Sequence, residues 1–415
     1  MTAGGPARIG YLLSKYPSAN HTYLVREVRG LRAAGLDVVT AAIDGDDRPG
    51  DGVSAEDREE RRTTFVVKAA GVSAVLAAHL ATVATRPFAY LSGIALAVRL
   101  GGADLARLTY NLFYFAEAVV AGRHLHRAGC TRLHTHYATN VALLAARVFP
   151  FELSASIHGS AEFIDPRAQR LREKVAACAF VRAISLYGRS QLMLASPVED
   201  WGKIVVARLG VDLGEFEPTP FRAHPTPFRI ASVGQLQPAK GFPVLLSAVA
   251  ALAAERRAVF LTLVGDGAQR AALEGEARRL GIADRVRFTG ALPQTGVRGV
   301  LREADAFVLP SFAEGIPVVL MEAMAMEVPC VASRITGIPE LIEHGRDGLL
   351  VTPADELALT DAIRTLMDSP ETRRTVGKSG RARVQQDYDL ARNVAVLAAA
   401  FMAPPPAAPV STIRR

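Results

Sequence analysis

Short apolar runs and amphipathic helix patterns alternate along the first part of the chain. Residues 8–13 form an apolar run of strand length, and after a polar turn Leu24, Val28 and Leu31 recur at the i, i+4, i+7 spacing of one helix face. Residues 38–43 form the next strand-length run. A strand, a helix and a strand in this order predict a parallel, doubly wound α/β sheet.

The alternation resumes at residues 132–137 and 154–158 and is interrupted once more, near residue 220. Residues 217–227 contain four prolines in eleven residues, which predicts a linker between domains. Five further strand-length runs follow with helical patterns between them, at 228–233, 259–264, 286–288, 306–309 and 328–332. We therefore expect two Rossmann-like domains that face each other across a cleft.

The domain boundaries follow from these patterns and from the length of 415 residues, about twice that of a typical domain. We expect a first domain at residues 1–217, a linker at 218–227 and a second domain at 228–390. A C-terminal helix is expected at 391–402 and a disordered, Pro-rich tail at 403–415.

The most apolar stretch, residues 66–100, allows two interpretations. Its longest piece without Lys or Arg, residues 69–85, is shorter than the ~20 residues of a membrane-spanning helix. The favoured expectation is a pair of buried helices. The alternative is a surface that docks on a bilayer beside basic residues such as Arg61, Arg62 and Lys68.

Composition narrows the function classes. The 48 Lys and Arg against 41 Asp and Glu give a net charge of +7, which favours phosphorylated small molecules or anionic lipid as partners. Nucleic acid is disfavoured because the basic residues are scattered and the chain has a single Trp. Cys130, Cys178 and Cys330 lie far apart, which argues against a disulfide framework or zinc cluster and fits a reducing, cytoplasmic compartment.

The strongest chemical signal follows the predicted strand at 306–309. Pro317 suits the first position of a helix, so the N–H groups of residues 315–319 should point at the carboxyl edge of the sheet and form an anion site suited to a diphosphate. Glu314 precedes this helix and Glu322 lies on its second turn. Carboxylates beside a diphosphate would accept hydrogen bonds from sugar hydroxyls on either side of it.

The segment EGIPVVLMEAMA, residues 314–325, resembles the signature of glycosyltransferase family 4, whose members have the two-domain GT-B fold. Residues 157–163, with their His-Gly pair, are similar to a first-domain motif of that family. Residues 16–27 resemble the branch that builds exopolysaccharide and colanic-acid-type chains. Further matches occur in the family's order, at 209–212, 233–236, 240–242, 264–267, 288–290, 336–340 and 345–351.

The resemblance implies roles for individual residues. It assigns Glu322 to the nucleotide ribose, Glu314 to the transferred sugar, and Lys240 to the leaving phosphate. His158 would contact the sugar and stabilise charge as the glycosidic bond breaks. Further donor-binding positions implied by the resemblance are Gly234, Gln235, Gly315, Ile316, Pro317 and Val318. Members of the family retain anomeric configuration, and need neither a metal at the site nor a cofactor besides the donor.

One departure from the family pattern concerns charge. Gln235 stands where the family has an Arg paired with the Lys, so stabilisation of the leaving group would depend on Lys240 and the helix terminus. UDP- and GDP-sugars are the leading donors, and the acceptor is a glycan, a lipid-linked molecule or a small molecule. A nucleotide-sugar epimerase or hydrolase, and a catalytically weak nucleotide-sugar-binding protein, are the alternatives.

Two other patterns favour ordinary structural roles. His134 and His136 alternate on a strand and share one face, but no third metal ligand lies near them in the sequence. The acidic loop at residues 44–46 resembles a metal-binding Asp-x-Asp without the surroundings that such a site needs. The glycines at 265 and 267 lack the third glycine of a dinucleotide fingerprint, because Arg270 stands there.

Overall fold

The computed structural model describes residues 8–18, 22–46, 48 and 53–403, which pack as two units. Within the described residues, the first unit comprises the chain up to Ile184, residues Gly188–Ala207 and the chain from Val394 onward. The second unit comprises Ser185–Tyr187 and Arg208–Asn393. Both predicted α/β domains are therefore present, although the first is discontinuous in sequence.

The first unit is built on a seven-stranded parallel sheet. Its strands are β1 (Ile9–Lys15), β2 (Val38–Asp44), β3 (Phe65–Val66), β4 (Arg132–His136), β5 (Glu152–Ile157), β6 (Phe180–Ala183) and β7 (Ile204–Val206). Their order is β3-β2-β1-β4-β5-β6-β7, and every neighbouring pair is parallel. The strands are therefore added in one direction from β1 to β3 and in the opposite direction from β4 to β7, so the strand order reverses between β1 and β4. Doubly wound sheets bind ligands at the carboxyl edge beside such a reversal point.

Nine α-helices accompany this sheet within the described residues. They are α1 (Thr22–Ala33), α2 (Ala55–Thr63), α3 (Val72–Thr85), α4 (Pro87–Gly101), α5 (Leu105–Arg127), α6 (Thr139–Val148), α7 (Ser160–Ile164), α8 (Leu171–Ala177) and α9 (Leu186–Ala195). The predicted apolar face of α1 is confirmed, since Leu24, Val28 and Leu31 are buried.

The second unit repeats the plan with a six-stranded parallel sheet. Its strands are β8 (Phe228–Val233), β9 (Val259–Val264), β10 (Val286–Phe288), β11 (Ala306–Leu309), β12 (Cys330–Ser333) and β13 (Leu349–Val351), in the order β10-β9-β8-β11-β12-β13. The helices are α10 (Phe242–Ala254), α11 (Arg270–Arg279), α12 (Gln294–Glu303), α13 (Val318–Ala325), α14 (Ile338–Leu341), α15 (Glu356–Asp368) and α16 (Pro370–Asp387). The strand order of this sheet reverses between β8 and β11. The two predicted Rossmann-like domains are confirmed.

The segment predicted as a linker, residues 218–227, packs in the second unit. Thr219 N donates to Met326 O at 2.9 Å, and Arg373 Nη2 donates at 2.8 Å to the carbonyl oxygens of Arg222 and Ala223. The observed units therefore differ from a division at residue 218, because a backbone hydrogen bond to Met326, at the end of α13, and the Arg373 side chain of α16 attach the Pro-rich segment to the second unit.

The last helix, α17 (Leu390–Met402), continues into the first unit. Phe401 packs there against Phe180 and His134, with ring centroids 5.3 and 5.0 Å apart. The predicted tail lies outside the described residues from 404 onward.

The favoured expectation of two buried helices at residues 66–100 is wrong. The stretch does form α3 and α4, but α3 buries only Thr82, and α4 buries only Gly93, Ala97, Leu100 and Gly101. In the described chain no single helix is long and apolar enough to cross a membrane, while α3 and α4, bent by 117° at their junction, meet the length and composition criteria only as a pair.

Candidate functional site

In the second unit, two loops meet at the carboxyl edge of the sheet, at the point where the strand order reverses. One follows β8 and contains Gly234 and Lys240, and the other follows β11 and contains Glu314. The end of the first loop lies against the second, because Phe312 N donates to Ala239 O at 2.7 Å. Residues that are about seventy positions apart in sequence are thereby brought to one edge of the sheet.

Gly241 allows this close approach. Its φ is +64°, and a Cβ there would lie 2.1 Å from Pro310 O, closer than any side chain tolerates. Gly265, at the end of β9, has φ +138°, and its Cβ would lie 1.9 Å from Gly234 O. Both glycines keep the Lys240 loop in contact with its neighbours, which explains their place in the predicted motifs.

Lys240 and Glu314 form an ion pair. Lys240 Nζ lies 2.6 Å from Glu314 Oε1, and Ser311 Oγ donates to the same oxygen at 2.7 Å. Glu314 is 8% exposed and the Lys240 side chain 17%. The structure thus joins two predicted site residues directly, and it adds Ser311, which sequence reasoning did not single out.

The helix after β11 begins one residue later than predicted. Pro317 is the N-cap, with extended backbone, and α13 starts at Val318. The first N–H groups of a helix have no partner within it, so this terminus offers donors and a partial positive charge. Gly337 supports the approach to the helix, since a Cβ there would lie 2.6 Å from Ile316 Cγ1 and 2.9 Å from Gly315 O.

Glu322 lies on the second turn of α13 and is 5% exposed. Gln294 Nε2, at the start of α12, donates to Glu322 Oε1 at 2.8 Å. Gln235 is exposed. The site therefore combines one ammonium group, a helix N-terminus and two buried carboxylates. Such a set suits a ligand whose anionic centre is flanked by hydroxyl groups.

In the first unit, His158 belongs to a buried chain of polar groups at the carboxyl edge of β1, β4 and β5. Its Nε2 lies 2.7 Å from His136 Nδ1, and His136 Nε2 lies 3.1 Å from Glu27 Oε1. Glu27 also accepts hydrogen bonds from Tyr11 Oη at 2.6 Å and from Arg182 Nη1. The second predicted catalytic region is thus a relay from Arg182 to His158, of which sequence reasoning noted only separate parts.

The ionisation of Glu27 fixes which ring nitrogens carry protons. Burial would raise the pKa of the Glu27 carboxyl, but Arg182 and His136 hold it well below its ordinary value. Burial lowers the pKa of His136 despite the nearby Glu27 carboxylate. A neutral His136 that donates from Nε2 to Glu27 accepts at Nδ1 from His158, which leaves His158 Nδ1 as an acceptor. That nitrogen lies 3.4 Å from Tyr23 Oη.

The turn that carries His158 depends on Gly159 and Glu162. Gly159 has φ +133°, which favours glycine, and Glu162 Oε2 accepts from the N–H groups of His158 and Gly159 at 3.1 and 2.9 Å. The buried ammonium of Lys174 interacts electrostatically with Glu162, and burial lowers its pKa to about 8. The Glu162 carboxylate therefore holds the two backbone N–H groups that flank the His158 side chain.

The two patterns given structural roles in the sequence lie in closed networks. His134 Nδ1 and Nε2 lie 2.8 and 2.9 Å from the hydroxyls of Ser154 and Ser156. Asp46 forms ion pairs with Arg48 and Arg61. No cluster of three or more His, Cys, Asp or Glu residues with metal-binding geometry occurs in the described residues.

A family model described as "Glycosyl transferases group 1" matches residues 215–383, all in the second unit. WcaL of Escherichia coli, described as a colanic acid biosynthesis glycosyltransferase, is 35% identical over 224 residues, 49% of this chain and 54% of that protein. AmsK of Erwinia amylovora, an amylovoran biosynthesis glycosyltransferase, is 34% identical over 210 residues, 49% of this chain and 51% of that protein. The chain spans about half the length of these curated relatives.

Solved structures cover almost the whole chain. Anabaena HepE in complex with UDP-glucose has a TM-score of 0.71 at 18% identity, covering 95% of this chain and 99% of that one. Sucrose-phosphate synthase of Thermosynechococcus elongatus has a TM-score of 0.73 at 22% identity, covering 95% and 98%. At these identities the likeness establishes the fold alone.

We predict that Gly241→Ala destabilises the protein by about 1–3 kcal/mol, because the new Cβ meets Pro310 O and the residue is held at positive φ. Urea unfolding measures this loss. Gly299→Ala is the matched control, since its Cβ meets nothing within 4 Å on helix α12. Equal stability of the two variants would contradict the account of this loop.

We predict that the free energy of unfolding of the wild type rises relative to that of Lys174→Met above about pH 8, because burial lowers the pKa of this ammonium group in the folded protein. The folded pKa of about 8 lies below the ordinary 10.5, so the unfolded chain binds more protons than the folded protein between about pH 8 and 10.5. Urea unfolding across this window should show the difference between variant and wild type change by up to about 3 kcal/mol. A difference that is independent of pH would disprove the assignment.

Proposed function

We propose that this chain, whose residues 215–383 match the group 1 glycosyl transferase model, is a retaining hexosyltransferase that uses a nucleoside diphosphate sugar. The observation that carries the proposal is the Lys240–Glu314 ion pair beside the N-terminus of α13, at the reversal point of the second sheet. Cationic and main-chain donors at such an edge suit a diphosphate.

The donor would contact this site through four kinds of group. The N–H groups around Gly315 and Val318 bind the diphosphate, Lys240 neutralises the leaving phosphate, and Glu322 accepts from the ribose hydroxyls. Glu314 accepts from the hydroxyls of the transferred sugar. UDP is the leading nucleotide, since HepE, which shares this fold, was solved with UDP-glucose, and GDP is second.

The ion pair gives these contacts an order. The charge of Lys240 is compensated by Glu314. Sugar hydroxyls give the Glu314 carboxylate new donors, so Lys240 becomes available to the phosphate only when the sugar is present. Since Gln235 adds no charge, stabilisation of the departing diphosphate rests on Lys240 and the helix terminus. No metal or further cofactor is needed for these contacts.

His158 is proposed to contact the transferred sugar and to stabilise the developing positive charge. Its orientation is set by His136 and by the Glu162 carboxylate that holds its N–H. The relay to the Glu27 carboxylate supports a neutral His158 ring whose Nδ1 carries no proton.

The acceptor is proposed to be a growing glycan or a lipid-linked sugar, because WcaL and AmsK are described as enzymes of polysaccharide biosynthesis. The three buried thiols, Cys130, Cys178 and Cys330, fit a reducing compartment, and we propose the cytoplasm as the place of reaction.

We predict that UDP raises the melting temperature of the wild type and fails to do so in Glu322→Gln, because the ribose loses its carboxylate acceptor. UDP at about 100 times its dissociation constant adds about 2.7 kcal/mol, which a thermal-shift assay detects.

Lys240→Met should lower kcat by about 10²–10³-fold by removing the only side-chain charge proposed to face the leaving phosphate. The exposed Glu343→Gln serves as control. A normal UDP shift in Glu322→Gln, or a kcat within threefold of wild type in Lys240→Met, would refute these roles.

We predict that His158→Ala lowers kcat by about 10²-fold while leaving the UDP thermal shift unchanged, because its proposed contact is with the sugar and not the nucleotide. Release of UDP from UDP-glucose, with and without polysaccharide acceptor, measures turnover. Equal release without any acceptor would point instead to a hydrolase. Wild-type kcat in His158→Ala would reduce this residue to a structural role.

A further inference from the structure

Helix α3 is apolar on both of its faces. Its inner face packs against the core of the first unit through Val75 and Ala78. Its outer face exposes side chains at intervals of four, four and three residues, the spacing of one helix side: Val72, Leu76, Leu80 and Val83. In water such an outer face should be polar, so the pattern calls for a partner.

Helix α4 and the first half of α5 continue the exposed apolar surface. Both helices pack on α3 and on each other. Seven large apolar side chains are exposed on these two helices, and three of them are aromatic. They are Phe88, Leu91 and Val98 on α4, and Leu105, Tyr110, Leu112 and Phe113 on α5. Phe88 is 86% exposed. We call these side chains, with those of the outer face of α3, the α3–α5 apolar face; contiguous apolar surfaces of this kind mark interaction sites.

The charge around this face is mostly positive. Residues 61–103 contain no Asp or Glu, and residues 61–116 contain six Lys or Arg and one acid, Asp104. Asp104 caps α5, since Arg107 N donates to its carboxylate at 3.1 Å, and Arg107 Nε lies 3.4 Å from the same carboxylate in a half-exposed ion pair. Arg99 is exposed near the end of α4 and Arg107 lies on the first turn of α5. The face is therefore apolar with cations at its helix ends, which complements an anionic lipid surface.

The helix lengths exclude a simple crossing. Helices of 14 and 15 residues are about 21–23 Å long, against a hydrocarbon core of about 30 Å. A bend of 117° between them turns the second helix back. Such helices suit the headgroup region, where apolar side chains enter by about 5–10 Å.

We propose that the α3–α5 apolar face docks the protein on a bilayer that contains anionic lipid, with its apolar side chains inserted between headgroups and Arg99 and Arg107 against lipid phosphates. A second copy of the chain is a poorer occupant, because a self-complementary contact would bring basic helix ends together. The proposal does not depend on the transferase activity.

Vesicle flotation tests the proposal. We expect the full chain to bind vesicles of phosphatidylcholine with about one-third phosphatidylglycerol, to bind pure phosphatidylcholine at least about tenfold more weakly, and to lose affinity with salt. The triple variant Leu80→Gln, Phe88→Gln, Phe113→Gln should bind anionic vesicles at least about tenfold more weakly. The matched control, Ile164→Gln, Leu194→Gln, Leu357→Gln, changes equally exposed apolar side chains elsewhere and should bind as wild type.

A second readout covers the case in which the triple variant fails to fold. Phe88→Trp in a Trp201→Phe background places a single fluorophore on the face, and brominated lipid should quench it in anionic vesicles. Absence of wild-type binding, equal binding to neutral vesicles, or an unquenched fluorophore would overturn the proposal. So would a dimer in solution that the triple variant dissociates. A UDP thermal shift in the same samples reports separately on the donor site.

Discussion

The ion pair between Lys240 and Glu314 is the contact on which the candidate donor site depends. It joins the loop after β8 to the loop after β11, because these neighbouring parallel strands both end at the same edge of the sheet. Burial makes either charge costly alone, and each offsets the cost of the other. The buried Glu314 carboxylate thus fixes the position of the Lys240 ammonium group at that edge.

The first unit solves the same problem with a longer network. At the equivalent edge, between β1 and β4, Glu27 is compensated by Arg182 and hydrogen-bonded to Tyr11 and His136. The network ends at His158, which is 7% exposed. A ring so enclosed has its tautomer set by neighbours and not by solvent. Both units therefore place compensated, buried charges at the carboxyl edge of the sheet, beside the point where the strand order reverses.

Local patterns predicted much of this architecture, and long-range packing set its limits. The alternation of strands and helices predicted two doubly wound sheets, and the EGIPVVLMEAMA segment predicted Glu314 ahead of a helix and Glu322 on its second turn, as the structure shows. Ser311 and Gln294 were missed because their importance comes from a single hydrogen bond to Glu314 and to Glu322 across the fold. The Pro-rich segment looked like a linker because prolines mark it locally, whereas its attachment depends on Arg373, about 150 residues away.

The outward direction of α3 and α4 was the largest failure, and its cause is instructive. Periodicity distinguishes buried from exposed faces only when the two differ in polarity. Here both faces are apolar, so the sequence matched a buried pair as well as a surface pair. The absence of acidic residues from 61 to 103 was the better signal. Burial has no reason to exclude acids from loops and helix ends while retaining arginines there, whereas an anionic surface repels only the acids.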